Sequence, residues 1–500
     1  MTPIKNIYVF HKYYQFDKCL LVLYTITSKF QGVFMKIISF IYNLLWGDIF
    51  TIPLPGGSEV GISLLILLLI PAGIFFTIRT RFLPVRMLPE MIRLVTEKKS
   101  GEKSGAISGV QALIVSTATR VGMGNLVGVV AAISVGGAGA VFWMWITAII
   151  GSATAFIEST LAQLHKEKDP LYDGYRGGPA YYIHNFFAKG KEKSIIAILF
   201  AVSGLICWCG VSQVISNSVT SSFENAFNIP PLATTIVLVL ISAVIVLRKN
   251  TTVKVLDVIV PIMAVFYFGL TLFVIINNIT LVPDVFKRIF MDAFGLREAA
   301  AGIMGAALTK GVQRGLFSNE AGSGSAPCAA ASADVDHPVK SGLMQALGVF
   351  IDTLVICSCT AMVMLLAPES AIAGKEGMTL LQAAMQHHFG TAGVVFIAVV
   401  LFLFCFSTFI GILYYARSNV AYLFGDKMWA QTAYKIVALA MLFIGGLAAY
   451  TFVWDIGDIG VGLMTVFNII ALYPMSGQAI RSLKDYERKM REKANKKAAV

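Results

Sequence analysis

Long apolar runs alternate with short polar loops along most of this chain of 500 residues. A helix needs roughly 20 apolar residues to cross a bilayer, and eleven runs come close to that length. Their approximate limits are 61–78, 106–135, 139–164, 195–222, 232–247, 255–277, 299–332, 341–367, 391–416, 433–452 and 459–478. The pattern therefore predicts an all-α polytopic membrane protein with eleven transmembrane helices.

The composition agrees with this prediction, because 57% of the residues are apolar and only 14% are charged, too few charges to solvate a globular protein of this size. Four regions follow. Residues 1–34 are expected to be a disordered tail or a misassigned upstream extension, since their apolar stretch is too short to span a membrane. Residues 35–60 read as an amphipathic interfacial segment, 61–480 as the membrane transporter domain, and 481–500 as a basic tail.

Basic residues cluster in alternate loops. The stretches 79–103, 166–193 and 481–497 hold seven, six and eight Lys or Arg, and the loop after the fifth run holds three. The intervening loops hold zero, three, one and zero. By the positive-inside rule the basic set faces the cytoplasm, which leaves the N-terminus outside and the C-terminus inside. Topology then explains the net charge of +12, and we expect a lipid bilayer rather than nucleic acid as the partner.

The second and seventh runs share a sequence register. The second contains RVGMGNLVG (120–128) and the seventh RGLFSNEAG (314–322), and in both Asn follows Arg by five positions and Gly follows Asn by three. The two runs begin five spans apart, and an odd number of spans gives two copies opposite orientations. This predicts one extra N-terminal helix followed by a five-plus-five inverted repeat, with repeat one at about 106–277 and repeat two at about 299–478.

Gly and polar residues in the middle of these two runs predict two discontinuous helices. Unwound backbone inside a bilayer is tolerated only where protein or water satisfies its polar groups, and matched broken helices indicate a transporter binding site at the midplane. Half-helix N-termini suit a carboxylate, and freed carbonyls suit a cation. The alternative is that glycines such as Gly122, Gly124, Gly322 and Gly324 only permit close helix packing.

Four stretches of the chain resemble the alanine or glycine:cation symporter family, bacterial and archaeal transporters with the leucine-transporter type of fold. These stretches are RVGMGNLVGVVAAISVGGAGAVFWMW, YRGGPAYYI, RGLFSNEAGSGSAPCAAASADVDHPV and GVFIDT. The resemblance runs from about Met35 to the end of the chain. It implies a protein of the inner or cell membrane that couples sodium influx to uptake of alanine, glycine or glutamine by alternating access, and it leaves the preferred amino acid open.

The resemblance also implies the residues that contact the substrate. The positions that match, together with a polar pair four residues apart in the fourth run, are Gly122, Met123, Gly124, Asn125, Gln213, Asn217, Phe317, Ser318, Asn319 and Gly322. Met123 departs from the family, which commonly has a small hydroxyl residue at this position. The size and polarity of the substrate pocket are therefore expected to differ here.

For sodium, the wider fold implies backbone carbonyls in the first break and a Ser/Thr pair in the ninth run. The corresponding positions are Ala118, Val121, Ser407 and Thr408, with Asn125 as a ligand of a second ion beside the substrate. Oxygen ligands of this kind suit a small hard cation. The alternative is that the two hydroxyls only bond to carbonyls of their own helix.

Ionisable residues at membrane depth are candidate functional groups. Arg120 and Arg314 occupy matching places in the two broken helices, and we expect Glu320 or Glu158 to pair with them. Asp352, in an apolar run, is expected to form a structural or gating pair.

The sequence has no phosphate-binding loop, nucleophile elbow or zinc motif, so we expect neither an enzyme nor a cofactor beyond the coupling ion. Two other functions stay open at this point: proton-coupled amino acid transport, and nutrient sensing by a transporter-like protein. The number and kind of coupling ions and the oligomeric state also stay open.

Overall fold

The computed structural model describes residues 35–53, 59–96, 107–188, 193–248, 252–296 and 304–498. The predicted tail or extension at 1–34 lies outside the described residues. Almost all regular structure in the described part is helical. The helices are α1 (Met35–Trp46), α2 (Leu64–Arg79), α3 (Leu83–Arg86), α4 (Leu88–Thr96), α5 (Gly109–Thr119), α6 (Val129–Gly136), α7 (Gly139–Leu164), α8 (Pro179–Phe187), α9 (Ile195–Phe227), α10 (Pro231–Val246), α11 (Thr252–Asn277), α12 (Val282–Ala293), α13 (Met304–Asn319), α14 (Ala326–Ser332), α15 (Pro338–Val349), α16 (Ser358–Leu365), α17 (Glu369–Ile372), α18 (Met378–Phe389), α19 (Thr391–Phe424), α20 (Met428–Gly445) and α21 (Tyr450–Ala498).

Two π-helical segments continue α5 into α6 and α15 into α16, namely Arg120–Gly128 and Phe350–Cys357. Short strands connect some of the helices. They are β1 (Asp48–Pro53), β2 (Glu59–Ser63), β3 (Ile107–Ser108), β4 (Glu167–Asp169), β5 (Gly174–Arg176) and β6 (Ala333–Asp334). Strand β1 pairs antiparallel with β2, β4 antiparallel with β5, and β3 parallel with β6.

Within the described residues, seven helices are long and apolar enough to cross a membrane. They are Gly109–Gly136, Gly139–Leu164, Ile195–Phe227, Pro338–Leu365, Thr391–Phe424, Met428–Gly445 and Phe452–Lys496. Helix α11 and the bent α12, at 103° to each other, form a candidate eighth span. The chain is thus multi-pass, while the predicted count of eleven spans stays a prediction.

Three of the predicted runs differ from simple long helices. The first and fifth predicted runs are the shorter apolar helices α2 and α10. The seventh predicted run, 299–332, is divided into α13 and α14 by a break at 320–325. The apolar runs therefore predict where each segment lies, but the polar and Gly residues within a run determine where the helix is interrupted.

Small residues bring the central helices close together. Helix α9 packs against α19, α20 and α21, and α7 packs against α13 and α15. A Cβ atom at Gly460 of α21 would lie 2.3 Å from the Cα atom of Cys207, and one at Gly445 of α20 would lie 2.2 Å from the Cα atom of Gln213. Glycine is required at such crossings, as is common in membrane helix bundles.

The ends of the two interrupted helices meet. Ser108 caps α5 through a capping box with Gln111, and the preceding strand β3 pairs with β6, which directly follows α14. The first interrupted helix thus begins beside the residues where the second one ends. An inverted arrangement requires this, although the inverted repeat itself stays a prediction.

Candidate binding site at the two helix breaks

The first break lies at Val121 and Gly122, whose backbone angles (φ −73°, ψ 73° and φ −158°, ψ −129°) are not helical. Asn125 closes it from within: its side-chain oxygen accepts a hydrogen bond from the N–H of Gly122 at 3.0 Å. Its side-chain nitrogen donates to the Oδ1 atom of Asp352 at 2.8 Å and to the backbone oxygen of Asp352 at 3.0 Å. Asn125 therefore fixes the break and ties it to the second π segment.

Asp352 connects the two interrupted helices. It is fully buried. Its Oδ2 atom accepts hydrogen bonds from the hydroxyls of Ser318, at 2.9 Å, and Thr353, at 2.7 Å. Ser318 lies on α13 just before the second break, so the carboxylate bridges both broken helices. Among the described residues, no Lys, Arg or His forms an ion pair with it.

The second break covers residues 320–325 and is a true turn. Glu320, Gly322 and Gly324 have φ angles of +58°, +92° and +81°, in the left-handed region that favours glycine. The N–H of Gly322 donates to Oε1 of Glu158 at 3.2 Å, and the Asn468 amide donates to Oε2 of Glu158 at 2.8 Å and to the carbonyl of Gly322 at 2.9 Å. Side chains of α7 and α21 thus satisfy backbone groups that the turn leaves unpaired.

Two neighbouring hydroxyls of α19 lie against the first break. Ser407 and Thr408 each donate to the carbonyl of Phe404 at 2.9 Å, and each hydroxyl oxygen lies 3.4 Å from the carbonyl oxygen of Ala118. Thr408 also accepts a hydrogen bond from the N–H of Met123 at 3.2 Å. The hydroxyls therefore contact both their own helix and the unwound backbone.

A small cavity of about 30 Å³ lies between the breaks. Its wall consists of Thr119, Met123, Gly124, Cys207, Trp208, Val211, Phe317, Glu320, Ser325, Thr408, Ile412 and Val461. Such a volume has room for about two water molecules. Three of the residues predicted to contact the substrate, Met123, Gly124 and Phe317, line this cavity, and so does the predicted sodium ligand Thr408.

The predicted polar pair of α9 does not face this cavity. The Gln213 amide donates to the sulfur of Met441 at 3.2 Å, within a separate groove formed with α20. The Asn217 amide donates to the carbonyls of Ala448, at 2.8 Å, and Gly445. Spacing of four placed both on one helix face, but that face packs against α20. The residues that α9 presents to the cavity instead are Cys207, Trp208 and Val211. No sequence pattern distinguishes these three from the other apolar positions of the helix.

The remaining predicted site residues take structural positions around the breaks. Asn319 accepts a hydrogen bond from the N–H of Ala321 at 3.0 Å and lines a different, smaller cavity beside Thr147 and Thr154. Gly322 lies against side chains of α2, α7 and α21. The Ser318 hydroxyl donates to Asp352 and does not line the cavity. A Cβ atom at Gly124 would lie 2.9 Å from the Cα atom of Ser318. Gly124 thus lets the two interrupted helices touch.

The two buried arginines have different partners. The guanidinium of Arg314 makes a two-point ion pair with Asp458 of α21, at 3.0 and 2.6 Å, so the expected pairing with Glu320 or Glu158 is wrong. The nearest carboxylate oxygen to Arg120 is Oε2 of Glu320, at 3.8 Å from Nε. The expectation named the right carboxylate for Arg120, but the contact is longer than a hydrogen bond.

The Arg314 pair lies behind the wall of the cavity, next to the wall residue Phe317. Its guanidinium carbon sits 3.9 Å from the ring centre of Trp454, and that ring lies 5.0 Å from the ring of Phe317, which lines the cavity. Trp454 is only 4% exposed. A charged pair, two aromatic rings and the cavity are therefore continuous on this side.

Comparison with known proteins identifies the family. The profile of the sodium:alanine symporter family matches residues 57–500. The chain belongs to this family. It is therefore a transporter and not an enzyme.

Members of the symporter family with curated names are similar over most of their length. The chain is 44% identical over 427 residues to the Bacillus subtilis protein named "Probable sodium/glutamine symporter GlnT", covering 85% of this chain and 88% of the relative. It is 35% identical over 427 residues to the sodium/alanine symporter AgcS of Methanococcus maripaludis, covering 84% and 94%.

The fold of this symporter-family member is also found among solved structures. The transporter MhsT, solved in complex with L-phenylalanine, superposes with a TM-score of 0.52 at 14% identity, over 76% of this chain and 89% of that chain. Because identity is so low, the likeness shows the shared fold alone. It confirms the expected leucine-transporter type of fold.

Proposed function

We propose that the protein couples sodium entry to the uptake of a small neutral amino acid by alternating access. One observation carries this proposal: a single cavity contacts both helix breaks and the hydroxyl of Thr408. An amino acid in this cavity and a sodium ion at the hydroxyls would share the unwound backbone at 121–124. Each ligand would then order the segment that the other requires, and the affinities would rise by the same factor.

The sodium site in this proposal uses the Ala118 and Val121 carbonyls with the hydroxyls of Ser407 and Thr408. Three of these oxygens already lie together, since both hydroxyl oxygens are 3.4 Å from the Ala118 carbonyl. The non-helical angles of Val121 free its carbonyl from the normal helix ladder. Neutral oxygens around a small ion match the chemistry of a hard cation.

A second ion would bind near Asn125. The structure adds Asp352 to this part of the site, because the carboxylate contacts Asn125 and Ser318 from the two broken helices. A buried carboxylate without a basic partner is costly. A sodium ion between the breaks would offset its charge.

The same carboxylate favours a second candidate function, proton-coupled transport. Asp352 and Glu158 are both fully buried and touch the first and second interrupted helices, respectively. Neither forms an ion pair within the described part of the chain. A proton could neutralise either group in place of a sodium ion, so the test must impose the two gradients separately.

The substrate in this proposal binds between Met123, Trp208 and Phe317, where the small cavity would widen to admit it. Met123 and Gly124, the first residues after the first break, line the cavity, and backbone N–H groups at such a helix start suit the substrate carboxylate. Alanine, glycine and glutamine are the candidate substrates. Two relatives carry sodium/alanine and sodium/glutamine symport in their names, which supports this choice.

The proposed arrangement in the membrane has eleven spans in a one-plus-five-plus-five order. The basic loops would face the cytoplasm of a bacterial or archaeal cell, with the N-terminus outside. The pairing of β3 with β6 supports opposite directions of the two interrupted helices.

Uptake into proteoliposomes tests the function directly. Purified full-length protein would be supplied with labelled alanine, glycine or glutamine, and with a sodium gradient, a proton gradient or neither. We expect uptake against a concentration gradient only with inward sodium. Uptake driven by a proton gradient alone would overturn sodium coupling in favour of proton-coupled transport. No uptake of any of the three amino acids under either gradient would overturn both functions.

A further inference from the structure

Among the described residues that form the wall of the cavity, one is charged, Glu320. It is the first residue of the second break, and its side chain is 12% exposed, whereas Glu158 and Asp352 are fully buried outside the cavity. A zwitterionic amino acid carries both a carboxylate and an ammonium. Glu320 is therefore the cavity's candidate for the positive end of such a ligand.

Neighbouring hydroxyls hold one side of this carboxylate. The Tyr415 hydroxyl donates to Oε2 of Glu320 at 3.1 Å, and the Thr119 hydroxyl lies 3.4 Å from the same oxygen. The other oxygen, Oε1, makes no hydrogen bond to any described residue. One half of the carboxylate is thus fixed by the protein, and the other half is free to accept from a ligand.

The backbone of Glu320 is strained. Its φ of +58° is in the left-handed region, which is unfavourable for most residues other than glycine. In the described part of the chain only four other non-glycine residues have positive φ, and none of them lines the cavity. A glycine or asparagine would fit this turn with less strain, so a purely structural requirement for the turn does not explain glutamate.

Arg120 partly offsets the charge of Glu320 but makes no hydrogen bond to its carboxylate. The Nε atom of Arg120 lies 3.8 Å from Oε2 of Glu320, and the Nε and Nη2 atoms of Arg120 make no hydrogen bond to the described residues. In the pair of Arg314 with Asp458, by contrast, both carboxylate oxygens accept at 2.6–3.0 Å. The Glu320 carboxylate therefore keeps its capacity for a second cationic partner.

We infer that Glu320 binds the α-ammonium group of the transported amino acid through Oε1. The inference rests on the proposed function and makes it more specific: the site would require a protonated amine beside the carboxylate and would reject the corresponding acid without an amine. The substrate carboxylate would lie towards the first break, and the ammonium towards the second.

Competition binding tests this role with a ligand pair that differs only in the ammonium. Full-length protein with saturating sodium would be titrated with labelled alanine, and unlabelled alanine and propionate would compete. In the unmodified protein we expect alanine to compete far better than propionate. In Glu320→Gln we expect the affinity for alanine to fall by roughly thirtyfold, which corresponds to the loss of a hydrogen bond to a charged group. The affinity for propionate should change by less than about threefold.

Two further variants complete the test. Glu376→Gln removes a carboxylate from an exposed loop and should leave both ligands unchanged. Tyr415→Phe removes the hydroxyl that donates to Oε2 of Glu320, and it should lower the affinity for alanine several-fold more than the affinity for propionate. This second variant also tests the inference if Glu320→Gln does not fold.

Alanine binding that stays within about threefold of the unmodified protein in Glu320→Gln, or equal losses for alanine and propionate, would overturn the role of Glu320 and leave the proposed function intact. Failure of the unmodified protein to bind alanine, glycine and glutamine would instead overturn the proposed function, and this inference with it.

Discussion

The two helix breaks differ in how their backbone is held. At the first break the chain stays nearly helical through a π segment, and its irregular residues are Val121 and Gly122. Asn125, three residues further on, accepts the hydrogen bond of the unpaired N–H. At the second break the chain makes an open turn, and Glu158 and Asn468 from other helices satisfy it.

This difference assigns different chemistry to the two breaks. The first break brings carbonyls close to neutral hydroxyls of α19, a set suited to a small cation. The second break places the carboxylate of Glu320 in the cavity, a group suited to an ammonium. The matched sequence register thus predicts two interruptions, but the neighbours of each interruption decide what it can bind.

Filling the first break should have the largest effect. A Cβ atom at Gly122 would lie 1.9 Å from the Thr408 hydroxyl and 3.1 Å from the Phe404 carbonyl. Gly122→Ala should therefore displace the hydroxyl from the break and lower sodium-driven uptake by about a hundredfold, since overpacking costs roughly 1–3 kcal/mol. Initial rates in proteoliposomes measure this effect.

Gly128 offers a matched control six residues along the same interrupted helix. A Cβ atom at that position would meet no heavy atom within 4 Å, so Gly128→Ala should keep near-normal uptake. Equal losses in the two variants would mean that the helix tolerates no added methyl group, and that the space beside Thr408 has no special role.

Removing the side chain that closes the first break should have the next largest effect. Asn125→Ala removes the acceptor of the Gly122 N–H and the side-chain donor to the Oδ1 atom of Asp352, and an unsatisfied buried group costs about 1–3 kcal/mol. We expect coupled uptake to fall by roughly thirtyfold or more, while the amount of protein inserted in the membrane stays the same. Normal sodium-driven uptake by this variant would contradict the proposed site.

Loss of one hydroxyl should affect sodium more than substrate. Thr408→Ala is expected to raise the sodium concentration for half-maximal uptake by about tenfold, because a single neutral oxygen ligand is worth about 1.4 kcal/mol in such a site. Thr465→Ala provides the control, since that buried hydroxyl donates only to the Val461 carbonyl of its own helix. An unchanged sodium dependence in Thr408→Ala would show that this hydroxyl serves only its own helix.

The sequence was sufficient for the segments that carry the breaks. The predicted run at 139–164 is helix α7, the stretch 120–128 contains the first break, and the stretch 314–322 runs from the end of α13 into the second break. These features depend on local composition, since apolar length sets a span and Gly or polar residues interrupt it. Local patterns of this kind are visible in a single chain.

The partners across the site could not be predicted in this way. Asn125 and Asp352 are 227 positions apart, and Arg314 and Asp458 are 144 apart. No periodicity relates such residues, because their contact depends on how the helices pack. For the same reason, the spacing of Gln213 and Asn217 predicts that they share one face of a helix, but it does not show which neighbouring helix that face contacts.

The smallest expected effect concerns substrate choice at the first break. Met123 lines the cavity where the resemblance leads us to expect a small hydroxyl residue, and its flexible thioether offers apolar contact in place of a hydrogen bond. A longer neutral side chain such as that of glutamine should therefore fit better than alanine. Met123→Thr should shift the ratio of alanine to glutamine uptake towards alanine by up to about tenfold, or 1.4 kcal/mol.

Gln213→Leu is the control and should leave the ratio unchanged, because Gln213 contacts Met441 outside the cavity. Competition profiles measure both, and a shift in the Gln213 variant without one in the Met123 variant would show that α9, rather than the first break, selects the side chain.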